Sequence, residues 1–169
     1  QYLADKTPSQ YRKVILVISD GVDNFSERIK KAIRTTSAEQ NSLSSETRLN
    51  VNGRALNEVQ REVQRADAVF YSINPSGNTM YLNIITKRGQ DGLQQLAEAT
   101  GGTAFIPEKE EDLGRVFTQI AGELRAQYLL QYYSNSQATG GQFRRVGVTS
   151  PTRPELRLRA RQGYYPKNK

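Results

Sequence analysis

Residues Val14 to Asn24 read VILVISDGVDN, and this run constrains the fold more than any other. An apolar, largely β-branched stretch stops abruptly at Ser19-Asp20-Gly21, with Asp23 two residues further on. A strand covered on both faces is apolar throughout rather than alternating. Its carboxyl end is where open α/β sheets place their ligands. The segment therefore predicts a parallel α/β domain with Asp20 at its working rim. Two roles are open to Asp20. It is either a ligand for a metal or another group, or a turn residue, with Gly21 supplying a positive φ and Asp20 capping the next helix.

The rest of the chain extends the same pattern. Gln1 to Lys13 reads as a polar loop. Ser26 to Thr35 fits a short helix with Ser26 as its N-cap. Thr36 to Gly53 is rich in Ser, Thr, Asn and Glu and is expected to be an exposed insertion. Ala55 to Arg65 is an amphipathic helix carrying Leu56, Val59 and Val63 on one face. Ala68 to Ile73 is the second strand, followed by a turn at Asn74–Gly77. Asn78 to Gly89 reads as a loop, and Gln90 to Thr100 as a helix closed by Gly101-Gly102. Thr103 to Ile106 is a third strand. An acidic run, Glu108 to Asp112, precedes a helix from about Leu113 to Ala126, where it favours the helix dipole. Strands alternating with helices in this order imply right-handed parallel crossovers and a sheet covered on both sides.

The pattern changes after Arg125. Three β-prone runs follow, Gln127–Ser134, Gln142–Ser150 and Glu155–Tyr165, separated by polar turns. In the last, Leu156, Leu158 and Ala160 alternate with Arg157, Arg159 and Arg161, as in a strand with one apolar and one arginine face. The expected organisation is a partial α/β domain over residues 1–126, with 36–54 as an exposed insertion, and a basic antiparallel β appendage over 127–169.

Composition narrows the chemistry. The chain has no cysteine and no histidine, which excludes disulfides, thiolate metal sites and Ser-His-Asp or Cys-His catalysis. There is no P-loop and no Gly-x-Gly-x-x-Gly. No apolar run approaches the ~20 residues that span a bilayer. Lys and Arg total 24 and Asp and Glu 17, for a net charge of +7. From Ile120 onward there are nine basic and two acidic residues, so residues 1–119 hold fifteen of each and are neutral. The positive charge belongs to the tail. It points either to an anionic partner or to a solvated arginine face.

Taken in order, several of these segments resemble a known family. The strand ending ISDGVDN, the strand AVFYSI, the stretch LQQLAEATGGTAFIP, the helix LGRVFTQIAGELRAQYLLQYY and the ending LRLRARQGYY look like the carboxyl-terminal two thirds of a von Willebrand factor A-like domain. The likeness is strongest to a bacterial branch common in Acidobacteria, where the last helix runs into a strand of the ELRxQYxLxY type and the chain ends in RxRxGYY. Glu123–Tyr128 and Arg159–Tyr165 match those two signatures. The resemblance spans Lys13 to Pro166 apart from the insertion. It implies a three-layer, Rossmann-like parallel sheet of the von Willebrand A type, incomplete at its amino-terminal side.

The departure from that family is equally informative. Such domains open on a central strand carrying Asp-x-Ser-x-Ser, the main ligands of a metal-ion-dependent adhesion site, and Asp20 resembles the aspartate that completes it. No Asp-x-Ser-x-Ser occurs in this chain. The first three strands of the family are expected to be missing, which leaves the edge of Val14–Ser19 without its usual neighbour. An uncovered strand edge is an aggregation template. The expectation is therefore that the sequence is part of a longer polypeptide or that another chain covers this edge. Mg²⁺ takes six oxygen ligands, so no cofactor is expected in this chain alone. Mg²⁺ or another divalent cation enters only if the full site is assembled.

Three functions compete. The first is a non-catalytic protein-interaction or assembly module, a peripheral subunit of a larger complex, membrane-bound in one version, outside the cytoplasm in the periplasm or cell envelope. Ser19, Asp23 and Asn74 would be its rim residues, Asp20 its residual metal ligand, and Arg157, Arg159 and Arg161 its contacts to an acidic protein. With the missing strands supplied, this becomes cation-dependent adhesion. The second is nucleic-acid binding through the basic carboxyl-terminal strands and some of the nine tyrosines, which is less favoured because Tyr128, Tyr132 and Tyr133 fall where strand packing would use them. The third, an enzyme using Asp20, is the least favoured, and no small-molecule substrate is expected.

Overall fold

The computed structural model describes residues 6–8, 11–21, 45–76, 84–134 and 141–166, with backbone alone for 45–52, 84–85 and 110. Strand β1 (Lys13–Ile18) pairs in parallel with β2 (Ala68–Ile73), from Lys13 opposite Ala68 to Ile18 opposite Ile73. The short strand β3 (Ala104–Phe105) joins the other side of β2, with Ser72 opposite Ala104 and Ile73 opposite Phe105. The sheet order is thus β1-β2-β3. Helices α1 (Ser45–Arg65), α2 (Ile84–Thr100) and α3 (Leu113–Arg125) complete the α/β unit. No helix among the described residues is long and apolar enough to cross a membrane.

Strand alternation sorts β2 between two cores. Ala68 and Phe70 pack with Val63 of α1 and Leu96 and Ala97 of α2. Tyr71 and Ile73 point the other way and pack with Val116 and Ile120 of α3. A strand with helices on both faces is near-continuously apolar; in AVFYSI only the buried Ser72 departs from that, and the strand has the predicted boundaries.

Two boundaries differ from expectation. Residues 45–53, read as exposed insertion, are the first turns of α1. The amphipathic stretch 55–65 nucleates the helix, and each residue added to an existing helix costs little, so weak formers such as Asn50 and Asn52 are carried along. Residues 84–89, read as loop, belong to α2. The helix predicted over Ser26–Thr35 and residues 36–44 lie outside the described residues.

The tail departs further. Three strands were expected beyond Arg125, but the described ladder is only β4 (Arg144–Arg145) against β5 (Gly163–Tyr164), antiparallel. Gln127–Ser134 runs without a ladder and leaves Tyr128, Leu129, Leu130 and Tyr133 exposed. Leu156 and Leu158 are exposed as well. The physical reason lies in the arginines that follow them. Arg159 pairs with Glu123 of α3 at 2.6 Å, Arg161 pairs with Asp67, and the Gln162 amide donates to the Ala99 carbonyl at 3.1 Å. Residues 156–162 are therefore held against the end of the α/β unit, and β5, of the small antiparallel sheet with β4, begins only beyond them. Arg12 pins the other end of the tail, donating to the carbonyls of Leu124 at 2.8 Å and Gln127 at 3.0 Å. This also satisfies orphan carbonyls at the end of α3.

Tyr71 shows how closely the tail is tied to the core. Burial first, then the neighbouring Glu123 carboxylate, push its hydroxyl above the ordinary value of 10.0. The folded state thus keeps a proton that the unfolded chain releases above that pH, so this group favours folding below it and costs stability as pH rises beyond it. We expect urea-unfolding midpoints on either side of pH 10.0 to fall less steeply in Tyr71→Phe than in the parent chain.

Candidate functional site

The carboxyl ends of the three strands converge on one rim. Leaving β1, the Ser19 amide donates to the Ile73 carbonyl at 3.0 Å, and the Gly21 amide donates to Ser19 Oγ at 3.0 Å. That hydroxyl turn reverses the chain under Asp20. Gly21 has φ +80, a left-handed conformation that glycine adopts without penalty. Its backbone also lies directly against Gly89 of α2. A Cβ on Gly89 would sit 2.8 Å from the Gly21 carbonyl carbon and 3.2 Å from the Asp20 carbonyl oxygen. Only two glycines allow the loop and the helix to cross this closely, and the crossing fixes where Asp20 stands.

Asn74 leaves β2 at the same level. Its amide donates to the Phe105 carbonyl at 2.8 Å, and its side-chain Oδ1 accepts from the Ser76 amide at 3.0 Å, closing an Asx turn. The side chain is buried, and Nδ2 has no acceptor among the described residues. Gln90, one residue past the glycine crossing, is in the same condition at Nε2. Sequence reasoning placed Asn74 here but missed Gln90. A glutamine on an amphipathic helix carries no local mark of burial, because the burial comes from β2 and β3 packing over it.

The structure thus brings Ser19, Asp20 and Asn74 to one rim and adds Gly21, Gly89 and Gln90 to it. Asp23 and Gly77 lie outside the described residues. No group of three or more Asp, Glu or His side chains that could hold a metal ion forms among the described residues.

The arginine set divides. Arg159 and Arg161 were expected to face an acidic partner, but their charges are already met by Glu123 and Asp67 within the chain. Glu123 also accepts from Gln119 Nε2 at 3.0 Å and from Thr103 Oγ1 at 3.4 Å, so Arg159 completes a network. Arg157 is exposed and has no ion pair among the described residues. Arg159→Glu is expected to lower stability by about 2 kcal/mol, discounted for the arginine's partial exposure. Arg157→Glu should change stability by less than about 0.5 kcal/mol. Urea-unfolding midpoints of the two variants check both.

Aromatic contacts anchor the end of the tail. Arg65 lies 5.5 Å from the Tyr165 ring centre and Arg161 5.6 Å from that of Tyr164, within cation–π range. Tyr132 meets Tyr164 edge-on at 6.4 Å. Comparison of the chain with protein-family models, with curated proteins and with solved structures finds no match.

Proposed function

We propose that the chain is a von Willebrand A-like protein-interaction module, acting without catalysis as a peripheral subunit of a larger assembly in the cell envelope. The observation that carries this reading is the state of β1. Among the described residues it is the outer strand of the sheet, and Leu16 and Ile18, on the face that α3 covers elsewhere, are 41% and 58% exposed. Apolar side chains beside an open strand edge favour a protein neighbour, since main-chain hydrogen bonding and apolar burial are then gained together. Asp20 and Asn74 stand at the carboxyl end of that surface, and Arg157 offers a charge for an acidic partner. Divalent-cation binding belongs to this reading only where a partner or further chain brings oxygen ligands to Asp20, since one carboxylate does not fill six positions.

The test is the association state. The chain is expected to be recovered with a protein partner in native pull-downs from the envelope fraction. Ile18→Lys, which puts a charge on the open edge, should release that partner while leaving the circular dichroism spectrum unchanged. A monodisperse monomer in light scattering, with nothing captured, rejects the proposal.

Nucleic-acid binding is the weaker alternative. The aromatic and arginine side chains that would serve it are partly engaged with one another, as at Tyr132, Tyr164 and Arg161.

A further inference from the structure

From Ala126 to Phe143 the chain carries no charged residue, although arginines stand at both ends, Arg125 and Arg144. The described part of this run is exposed at every position from Tyr128 to Ser134. Tyr128 is 90% exposed, Leu129 79%, Leu130 70% and Tyr133 100%. The segment is nonetheless anchored. The Gln127 carbonyl accepts from Arg12 at 3.0 Å, the Tyr132 ring meets that of Tyr164, and Ser134 Oγ accepts from Arg144 at 2.6 Å. Large apolar side chains are thus presented to solvent between fixed points, as at a contact surface.

Two observations select what the surface contacts. The first is exposure on all sides. No position from Tyr128 to Ser134 turns inward. A protein patch covers one side of a segment, whereas a lipid interface closes around all of it. Tyrosine suits that layer, because its ring is apolar and its hydroxyl stays wet. The second is charge. Nine basic and only two acidic residues lie from Ile120 onward, so the part of the chain that bears the segment is positive. Arg12 gives its bonds to two neutral carbonyls. Arg125, two residues before Gln127, and Arg145, beside the anchoring Arg144, are exposed and have no ion pair among the described residues. Basic residues flanking an apolar segment add attraction to anionic headgroups.

The backbone sets the depth. Tyr128 to Tyr133 form no ladder among the described residues, and unpaired amides and carbonyls are not tolerated in hydrocarbon. At the headgroup level water still bonds them, so such a segment lies in the interface and does not cross it.

We propose that Tyr128–Tyr133 is a lipid-contact segment that seats this chain on an anionic membrane surface, with Leu129, Leu130 and Tyr133 in the interface and Arg12, Arg125 and Arg145 on the headgroups. The proposal uses other residues than the β1 edge and does not rest on the protein-interaction reading.

The chain has no tryptophan, so Leu130→Trp supplies a single fluorescent reporter. The full chain is mixed with vesicles of phosphatidylcholine alone, or of phosphatidylcholine and phosphatidylglycerol in equal parts. It is expected to float with the anionic vesicles, and the reporter's emission to shift to the blue and be quenched by brominated lipid. Arg125→Gln together with Arg145→Gln should weaken this binding about thirtyfold. Leu130→Glu should weaken it about tenfold or more, with an unchanged circular dichroism spectrum as the folding check. The proposal is overturned if the chain floats with neither vesicle, if neutral vesicles bind it as well as anionic ones, or if the bound chain leaves the reporter's emission unmoved. Leu130→Glu floating like the parent chain overturns it as well. A chain that ignores vesicles but self-associates, and loses that association in Leu130→Glu, makes the segment a protein contact and overturns the lipid reading. Ile18→Lys should float as the parent does, so loss of a partner at β1 and loss of the membrane are separate results.

Discussion

Gly102→Ala is expected to be the most damaging single-methyl change in this chain, costing about 3 kcal/mol or more. Gly102 links α2 to β3 and passes directly over β2. A Cβ there would lie 2.9 Å from the carbonyl carbon of Phe70, closer still to its oxygen, and 3.2 Å from Val69 Cγ1. Neither side has room to yield. β2 is the central strand, buried on both faces, and Ile73 is completely buried. The link is tied on its other flank, where the Gly102 amide donates to the Ala97 carbonyl at 2.9 Å and Thr100 Oγ1 accepts from the Phe70 amide at 2.9 Å. The close approach also explains why β3 is so short. At the level of Phe70 the helix end takes the place of a ladder partner, and regular pairing begins only at Ser72. Urea unfolding followed by circular dichroism measures the loss, and a midpoint equal to that of the parent chain would contradict the packing described.

The second large effect is expected at Gly21→Ala, and it has a different character. An alanine at φ +80 carries about 1–2 kcal/mol of backbone strain. Its Cβ would lie 3.0 Å from Gly89 Cα, with the Gly89 carbonyl nearer still. The expected total is about 3 kcal/mol, concentrated in the rim. The Asp20 loop should lift from α2, moving the side-chain NH₂ signals of Asn74 and Gln90, while the far-ultraviolet spectrum keeps its helical form. Gly89→Ala strikes the same crossing from the helix side. The double variant should therefore cost less than the sum of the two, because both methyl groups break one contact.

How much of this was legible depended on whether a residue's role was local. β2 could be read to the residue, because a strand buried on both faces is near-continuously apolar and only Ser72 interrupts the run. The end of α2 could be read from Gly101-Gly102, because helix termination is a backbone property. The start of α2 could not. Gly89 resembles a loop residue until the Gly21 backbone is seen against it, since its reason for being glycine lies on another element. Gln90 is the same case for the site, as its burial and its unmet donor arise only when β2 and β3 close over the helix. The tail misled for a related reason. The alternation from Leu156 to Arg161 has the period of a strand, but Arg159 and Arg161 follow that period to reach Glu123 and Asp67. The leucines before them, Leu156 and Leu158, remain exposed.

The anchoring of the tail has a consequence for the order in which the molecule opens. Its ties close very long loops. Arg161 reaches back 94 residues to Asp67, and Arg12 reaches forward 115 to Gln127. Closing such loops carries an entropic cost that only the completed α/β unit can offset. The tail should therefore dock last and detach first, as a sub-global unit of low protection. In native-state hydrogen exchange the Gln162 amide, bonded to the Ala99 carbonyl, then exchanges through a detachment that leaves the sheet intact. The Phe70 amide, buried on Thr100, waits for the whole domain to unfold.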